Sequence, residues 1–131
     1  GYVAQDVIKA MLTRNLRVDG ARLLVMGFTF KENCPDTRNT KIADLVRKLA
    51  GFGAEVTVFD PLADVDVARS EYGLAIENAL PEGPFDAILL AVKHDAIVAL
   101  GADRLEALLC DGGLIYDIKG IVPAEQSDVR I

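Results

Sequence analysis

The chain has 131 residues, of which 51% are hydrophobic and 26% are charged, and its formal net charge is -6. These values fit one ordinary globular domain that can bury a core without disulfide or metal staples. The acidic balance argues against a general nucleic-acid surface, which needs clustered Lys and Arg. No apolar run approaches the roughly 20 residues of a membrane span, and no signal peptide opens the sequence.

The cysteine content and the first residues bear on the setting of the protein. Cys34 and Cys110 are too few and too widely spaced to predict a disulfide framework or a metal site. A reducing, cytoplasmic location is therefore expected. The chain begins with Gly1 rather than Met, and a helical pattern starts almost at once. We therefore expect the sequence to be a piece of a longer protein.

Apolar residues recur at helical spacing over residues 3–14 and predict an amphipathic helix that ends before a turn at Asp19 and Gly20. Two compatible interpretations of this helix are open. It packs on the present domain, or it is the tail of a longer helix that leads from an upstream domain.

Four strands are predicted, over residues 22–28, 55–60, 87–92 and 114–117. The first and the third lack polar alternation, as is typical of strands buried on both faces of a parallel sheet. A helical stripe over residues 42–52 lies between the first two strands, with Asn39 or Thr40 placed to cap it. A strand, a helix and a strand of these lengths form a βαβ unit with a right-handed crossover.

The later segments are shorter. Residues 64–72 predict a helix that ends at Gly73, and residues 74–79 predict a brief extended piece. Another helix is predicted to start at Asp103, which has capping-box spacing to a later Glu, and residues 125–131 show no pattern. The elements together predict a small doubly wound α/β domain, Rossmann-like, with a mainly parallel sheet. Its expected strand order is 2-1-3-4, with the switch point between the first and third strands.

The connection over residues 27–40 is unusually long for its place. Connections in compact α/β units commonly have roughly 2–6 residues, and longer ordered ones are usually functional. This one leaves the carboxyl end of a strand, where open α/β sheets bind ligands. The sequence contains neither Gly-x-Gly-x-x-Gly nor a P-loop, so the first turn cannot wrap a pyrophosphate as those motifs do. For the same reason Asp60, before Pro61, is interpreted as a turn residue rather than a ribose-binding acid.

Positive charges follow three of the predicted strands, and they are Lys31, Arg38, Lys93 and Lys119. Each of them taken singly is best interpreted as a solvated loop charge. Gathered at one edge of an acidic protein, they slightly favour a site for a di-anionic phosphate ligand.

Cys34 and His94 are the other residues with chemical potential, and neither is predicted to be catalytic. Cys34 has no base near it in sequence and is interpreted as a passive loop cysteine. His94 is interpreted as a helix cap or a contact at the sheet edge. No catalytic residue is predicted in this chain.

The long connection has the sequence Gly-Phe-Thr-Phe-Lys-Glu-Asn-Cys-Pro-Asp-Thr-Arg-Asn-Thr. It resembles the opening of the C-terminal, UDP-binding domain of the nucleotide-sugar 6-dehydrogenases, which include the UDP-glucose, UDP-N-acetylhexosamine and GDP-mannose dehydrogenases. The residues of this connection are most similar to those of the UDP-N-acetylhexosamine branch. Further matches lie at residues 53–56, 60–61, 71–73 and 117–120.

This resemblance implies roles for individual residues. Phe30 and Lys31 are expected to contact the UDP-sugar, and Lys119, two residues after the Asp that ends the last strand, is expected to contact it as well. Some members have Arg at that last position, which binds phosphate with a bidentate fork that Lys lacks. Arg38, seven positions beyond Lys31, is expected to reach the NAD held by an N-terminal domain.

The resemblance also implies a division of the chain and of the enzyme. Residues 1–18 correspond to the end of an inter-domain connector helix, and residues 19–131 to the UDP-sugar-binding domain. The catalytic Cys, its helper Lys and Asn, and the NAD site belong to upstream domains. The full-length protein would be an NAD-dependent oxidoreductase that converts a UDP-sugar to a UDP-uronic acid for surface polysaccharide synthesis. It would be a homodimer or larger, with no nucleic-acid or membrane partner.

Two other functional classes stay open from the sequence. The chain could be a free-standing regulatory module that binds a nucleotide without a catalytic partner. It could also be mainly an oligomerisation domain, in which the loop charges pair across a dimer.

Overall fold

The computed structural model describes residues 2–38, 40–119 and 129–130. Its strands are β1 (Arg22–Met26), β2 (Glu55–Phe59), β3 (Ile76–Glu77), β4 (Phe85–Leu90), β5 (Leu109–Asp117) and β6 (Val129–Arg130). Its helices are α1 (Tyr2–Thr13), α2 (Ile42–Gly51), α3 (Val65–Tyr72), α4 (Asp95–Val98) and α5 (Gly101–Ala107). Within these described ranges, no helix has both the length and the apolar character needed to cross a membrane.

The strands form a six-stranded sheet with the order β3-β2-β1-β4-β5-β6. The pairings between neighbouring strands are parallel. β1 lies inside the sheet, where Leu24 is level with Thr57 of β2 on one side and with Ile88 of β4 on the other. The predicted order of the four apolar strands is therefore confirmed, and the switch point lies between β1 and β4.

A hydrophobic core covers each face of the sheet. One core joins the sheet to α1, α2 and α3 through side chains that include Met11, Leu49 and Ala68. The other joins it to α4 and α5 through Ile97 and Leu105. β1 and β4 are covered on both faces and do not alternate between polar and apolar residues, which is why their apolar runs identified them correctly. The predicted N-terminal amphipathic helix is confirmed as α1, and it packs on this domain.

Polar side chains stabilise the starts of α2 and α3. The Thr40 hydroxyl accepts the Ile42 N–H at 3.1 Å and donates to the Phe28 carbonyl at 2.6 Å, so it joins the start of α2 to the loop after β1. Asn39, the other predicted cap of this helix, lies outside the described residues. The Asp64 side chain caps α3. Gly73 ends this helix, as predicted, with φ 68°.

One helix and the starts of two other elements differ from the prediction. The four-residue α4 was not predicted, because a single helical turn is too short to show periodicity. The next helix starts at Gly101 rather than at Asp103, which lies inside its first turn. β5 begins at Leu109, ahead of the predicted start, and a register shift between Phe85 and Ala87 on the paired β4 accommodates the extra residues.

The edges of the sheet carry two strands of two residues each. β3 falls within the predicted extended piece and pairs with β2. β6 lies in the C-terminal segment that showed no pattern, and it pairs with Tyr116 and Asp117 of β5. Strands this short form because a neighbouring strand offers free backbone groups, and their own sequence carries too few residues to signal them.

Candidate functional site

A cleft of about 630 Å³ opens at the carboxyl ends of β1, β4 and β5. Its walls come from the loop after β1, the start of α2, and the residues that follow β4 and β5. The lining residues are Thr29, Phe30, Lys31, Glu32, Thr40, Lys41, Ile42, Ala91, Val92, Lys93 and Lys119. The cleft therefore lies beside the switch point, which is where open α/β sheets bind ligands.

The cleft is lined by four lysines, Lys31, Lys41, Lys93 and Lys119, and one acid, Glu32. All four lysines are exposed. Since the chain as a whole carries a net charge of -6, this edge is a local concentration of positive charge on an acidic protein. Such an arrangement attracts and holds anions.

The predicted substrate contacts meet in this cleft. Phe30, Lys31 and Lys119 line it together, although Lys119 lies 88 positions after Lys31 along the chain. The Phe30 side chain is 52% exposed, which is unusual for a large aromatic residue on a domain with two well-formed cores. The cleft thus presents an aromatic face beside ammonium groups.

Lys41 belongs to the cleft and was not predicted. It directly precedes α2, and Thr40 beside it is tied to the loop after β1. The sequence feature that could have indicated Lys41 is its position between the long loop and the first turn of a helix. Sequence alone did not distinguish it from an ordinary helix-surface lysine.

Arg38 lies outside this cleft. It lines an adjoining depression of about 290 Å³ together with Phe30, Lys31, Cys34 and Asp36. Its guanidinium forms a two-pronged contact with the Asp36 carboxylate, with Nε–Oδ1 at 3.0 Å and Nη2–Oδ2 at 3.1 Å. The Arg38 side chain is 72% exposed, so its outer face is available to an anion.

The pairing of Arg38 with Asp36 shifts the pKa of both groups. Hydrogen bonds from the Arg38 guanidinium and from its backbone N–H hold the pKa of Asp36 below its usual value. The hydrogen bond and the charge of the Asp36 carboxylate raise the pKa of Arg38.

Cys34 lies in the same depression as a partly buried free thiol.

Beneath the loop after β1 lies a buried polar cluster of Thr29, Asp60 and His94. His94 and Asp60 are fully buried, and His94 Nε2 lies 2.9 Å from Asp60 Oδ2. The Thr29 hydroxyl lies 3.0 Å from the same nitrogen. His94 Nδ1 accepts the backbone N–H of Asn33 at 2.8 Å.

Asp60 has a larger role than the predicted turn. Its Oδ1 accepts the N–H groups of Leu62 and Ala63, as expected of a turn residue before Pro61. Its Oδ2 also accepts the N–H groups of Phe28 and Thr29, at 2.7 and 3.2 Å. The sequence signal was an Asp ending one strand and a His following another, but their contact depends on the strand order.

Among the described residues, no group of three or more His, Cys, Asp or Glu side chains could hold a metal ion. The buried Asp60 and His94 are instead satisfied by each other and by the backbone.

The chain has a parallel, doubly wound sheet with a basic cleft at its switch point. It is therefore an α/β domain of the class that binds ligands at the carboxyl ends of its strands. Residues 24–124 match the UDP-glucose/GDP-mannose dehydrogenase family, UDP binding domain. The chain belongs to this family and corresponds to that domain.

Curated relatives support the same membership. The UDP-N-acetyl-D-glucosamine 6-dehydrogenase of Pseudomonas aeruginosa is 44% identical over 130 residues, and that of Salmonella typhi is 42% identical over 130 residues. Each match covers 99% of this chain and 31% of the relative. The chain therefore spans about a third of the length of these relatives.

Solved structures share the fold at low sequence identity. The NDP-N-acetyl-D-galactosaminuronic acid dehydrogenase of Methanosarcina mazei matches with a TM-score of 0.79 and 22% identity, over 95% of this chain and 26% of that one. A UDP-glucose dehydrogenase from Pyrobaculum islandicum matches with a TM-score of 0.70 and 20% identity, over 98% of this chain and 29% of that one.

Proposed function

We propose that this chain is the UDP-sugar-binding part of an NAD-dependent nucleotide-sugar 6-dehydrogenase whose substrate is a UDP-N-acetylhexosamine. The main support for this proposal is the lysine-lined cleft at the switch point of a domain that belongs to the UDP-binding family. The names of the relatives at 44% and 42% identity support the choice of sugar.

Lys31 and Lys119 are assigned to the phosphates of the ligand, and Phe30 to an apolar contact with it. A diphosphate is a compact anion, and two ammonium groups from separate strand ends can hold it from two sides. The exposed face of Phe30 is suited to a base or sugar ring, because aromatic side chains stack on such rings.

Arg38 is assigned to the NAD, which would accept hydride from the substrate and would be held mainly by other domains of the full protein. The residues present fit one such contact. Asp36 orients the guanidinium in its plane through two hydrogen bonds, and the exposed outer face can still meet a phosphate.

The domain division follows the same assignment. Residues 1–18 are proposed as the end of a connector from the upstream domains, and residues 19–131 as the UDP-sugar-binding domain. We further propose a cytoplasmic enzyme of surface polysaccharide synthesis. Cys34 and Cys110 are free thiols, which is in keeping with a reducing compartment.

The experiment is a titration of the 131-residue chain with UDP-N-acetylglucosamine, observed through backbone amide shifts. We expect weak binding with shifts centred on Phe30, Lys31 and Lys119. Lys31→Ala and Lys119→Ala should each raise the dissociation constant about three- to tenfold, the range for loss of a solvent-screened charged hydrogen bond.

Two matched controls are available. Lys9→Ala removes an exposed lysine of α1 that does not line the cleft, and Phe52→Ala removes a 46% exposed aromatic residue, to be compared with Phe30→Ala. Both controls should leave the dissociation constant unchanged. The absence of shifts around Phe30, Lys31 and Lys119 at millimolar ligand would refute the proposed site.

A further inference from the structure

The buried cluster of Thr29, Asp60 and His94 joins the ends of three neighbouring strands. Thr29 follows β1, Asp60 directly follows β2, and His94 follows β4. These strands lie side by side in the order β2-β1-β4, so the cluster lies under the switch point and the binding cleft. The loop that carries Phe30 and Lys31 starts at this cluster.

Hydrogen-bond donors and acceptors fix the form of the His94 ring. The Asn33 backbone N–H can only donate, so His94 Nδ1, 2.8 Å away, is the acceptor and carries no hydrogen. A neutral imidazole then has its hydrogen on Nε2, which donates to Asp60 Oδ2 at 2.9 Å. His94 is therefore a neutral bridge between a buried carboxylate and the backbone of the loop.

Two further contacts hold the same loop. The Thr29 hydroxyl donates to the Lys31 carbonyl at 2.9 Å. The Asn33 side-chain oxygen accepts the Asp95 N–H at 2.8 Å, next to His94. Asn33 itself has φ 58°, a left-handed conformation that Asn adopts more readily than most residues. The segment between Thr29 and Asn33 is thus anchored at both ends, with Phe30 and Lys31 between the anchors.

We propose that His94 is a positioning residue of the UDP site, which orients Phe30 and Lys31 by bridging Asp60 to the Asn33 backbone as the Nε2–H tautomer. His94 does not line the cleft, and it acts through the loop. This inference rests on the proposed function for the identity of the ligand, but not for the geometry of the bridge.

The first test concerns the wild-type ring and needs no ligand. The chain contains one histidine, so a long-range ¹H–¹⁵N spectrum reports on His94 alone. We expect the Nε2–H tautomer and a slowly exchanging Asn33 amide. The Nδ1–H tautomer would overturn the proposal, whether or not UDP binds.

The second test separates the two sides of the bridge. His94→Asn places an amide oxygen near the former Nδ1 and keeps an acceptor for the Asn33 N–H, whereas His94→Gln keeps a donor near the former Nε2 for Asp60. Exchange of the Asn33 amide should accelerate in His94→Gln and much less in His94→Asn. Equal exchange rates in wild type and His94→Gln would contradict the bridge.

The third test measures the effect on binding. Both His94 variants should raise the dissociation constant for UDP at least about fivefold, which corresponds to roughly 1 kcal/mol. The ligand-induced shifts should diminish at Phe30 and Lys31 and persist at Lys119. Leu105→Ala is the control, because it opens the core under α4 and α5 without lining the cleft, and it should lower the melting temperature with the UDP affinity unchanged.

The outcomes separate the two proposals. If wild type does not bind UDP, the proposed function fails, while the tautomer and the Asn33 exchange still test the bridge. If wild type binds UDP and both His94 variants bind it within twofold, the positioning role fails and the proposed function stands. Should the His94 variants not fold, Asn33→Gly tests the same anchor, since it keeps the left-handed backbone and removes the bond to Asp95.

Discussion

At the scale of single residues, two buried threonines offer a direct comparison. Thr29 and Thr37 are 2% and 1% exposed. The Thr29 hydroxyl donates to the Lys31 carbonyl, whereas Thr37 Oγ1 is buried and has no hydrogen-bond partner among the described residues. A buried polar group without a partner bears its desolvation cost with no compensating bond.

We therefore expect opposite effects from the same substitution at the two sites. Thr37→Val should leave the free energy of unfolding unchanged or raise it by about 1 kcal/mol, and Thr29→Val should lower it by about 1 kcal/mol. Urea denaturation of both variants measures the difference. A loss in Thr37→Val as large as that in Thr29→Val would show that the Thr37 hydroxyl has a partner in solution.

At the scale of elements, the ends of β1 and β4 approach closely at Gly27. Gly27 has φ 105°, and a Cβ there would lie 2.6 Å from Val92 Cβ and 2.7 Å from the Val92 backbone nitrogen. Gly27→Ala combines left-handed strain of roughly 1–2 kcal/mol with overpacking of roughly 1–3 kcal/mol. We expect a loss of about 2–5 kcal/mol in the free energy of unfolding.

Gly73 is the matched control for Gly27. It has φ 68° at the end of α3, and a Cβ there would meet nothing within 4 Å. Gly73→Ala should therefore cost about 1 kcal/mol, the strain without the clash. Equal losses in the two variants would mean that Val92 moves aside.

The contact between α1 and β5 has a consequence at high pH. Tyr116 is fully buried, and its hydroxyl donates to Asp6 Oδ2 of α1 at 3.4 Å. Burial first, and then the Asp6 charge and hydrogen bond, raise the pKa of Tyr116 from 10.0 to about 12. Since the folded-state pKa lies above the unfolded one, this contribution to stability is present below pH 10 and is lost as the pH rises towards 12.

Ultraviolet absorbance of the phenolate tests this expectation. The late-ionising phenol should vanish in Tyr116→Phe, and Asp6→Asn should lower the pKa of Tyr116 because the neighbouring charge is gone. A titration in which Asp6→Asn and wild type coincide would remove Asp6 as a cause.

At the scale of the whole molecule, the positive charge of the cleft contrasts with the negative net charge of the chain. The chain carries -6, while the cleft presents Lys31, Lys41, Lys93 and Lys119. The dissociation constant for UDP should rise severalfold between about 0.1 M and about 1 M salt, where the screening length falls from roughly 10 to 3 Å. Uridine, which has no phosphates, is the matched ligand and should show no such dependence.

Much of this molecule follows from local patterns. The inner strands β1 and β4 have apolar runs because both of their faces are covered, and the loop after β1 is marked by its length and composition. Lys31 and Lys119 could be placed at one edge because the carboxyl ends of parallel strands share it, and the assignment of Phe30, Lys31 and Lys119 to a UDP-sugar came from the resemblance to the family. Their roles towards a ligand stay predictions.

Other features have no local signal. Two-residue strands and a four-residue helix are too short to show a period, so β6 and α4 were missed. Lys41 enters the cleft only because α2 starts beside the ends of β1 and β4.

The sequence by itself determined the class of fold, the order of the main strands and the edge of the sheet where ligands bind. It could do so because apolar runs and the alternation of strands with helices are local patterns, and together they indicate a parallel sheet. The tertiary structure alone decided that Asp60 and His94 meet. They lie 34 positions apart, and their contact exists because β2 and β4 lie on either side of β1, which brings a buried carboxylate and an imidazole under the loop that lines the cleft.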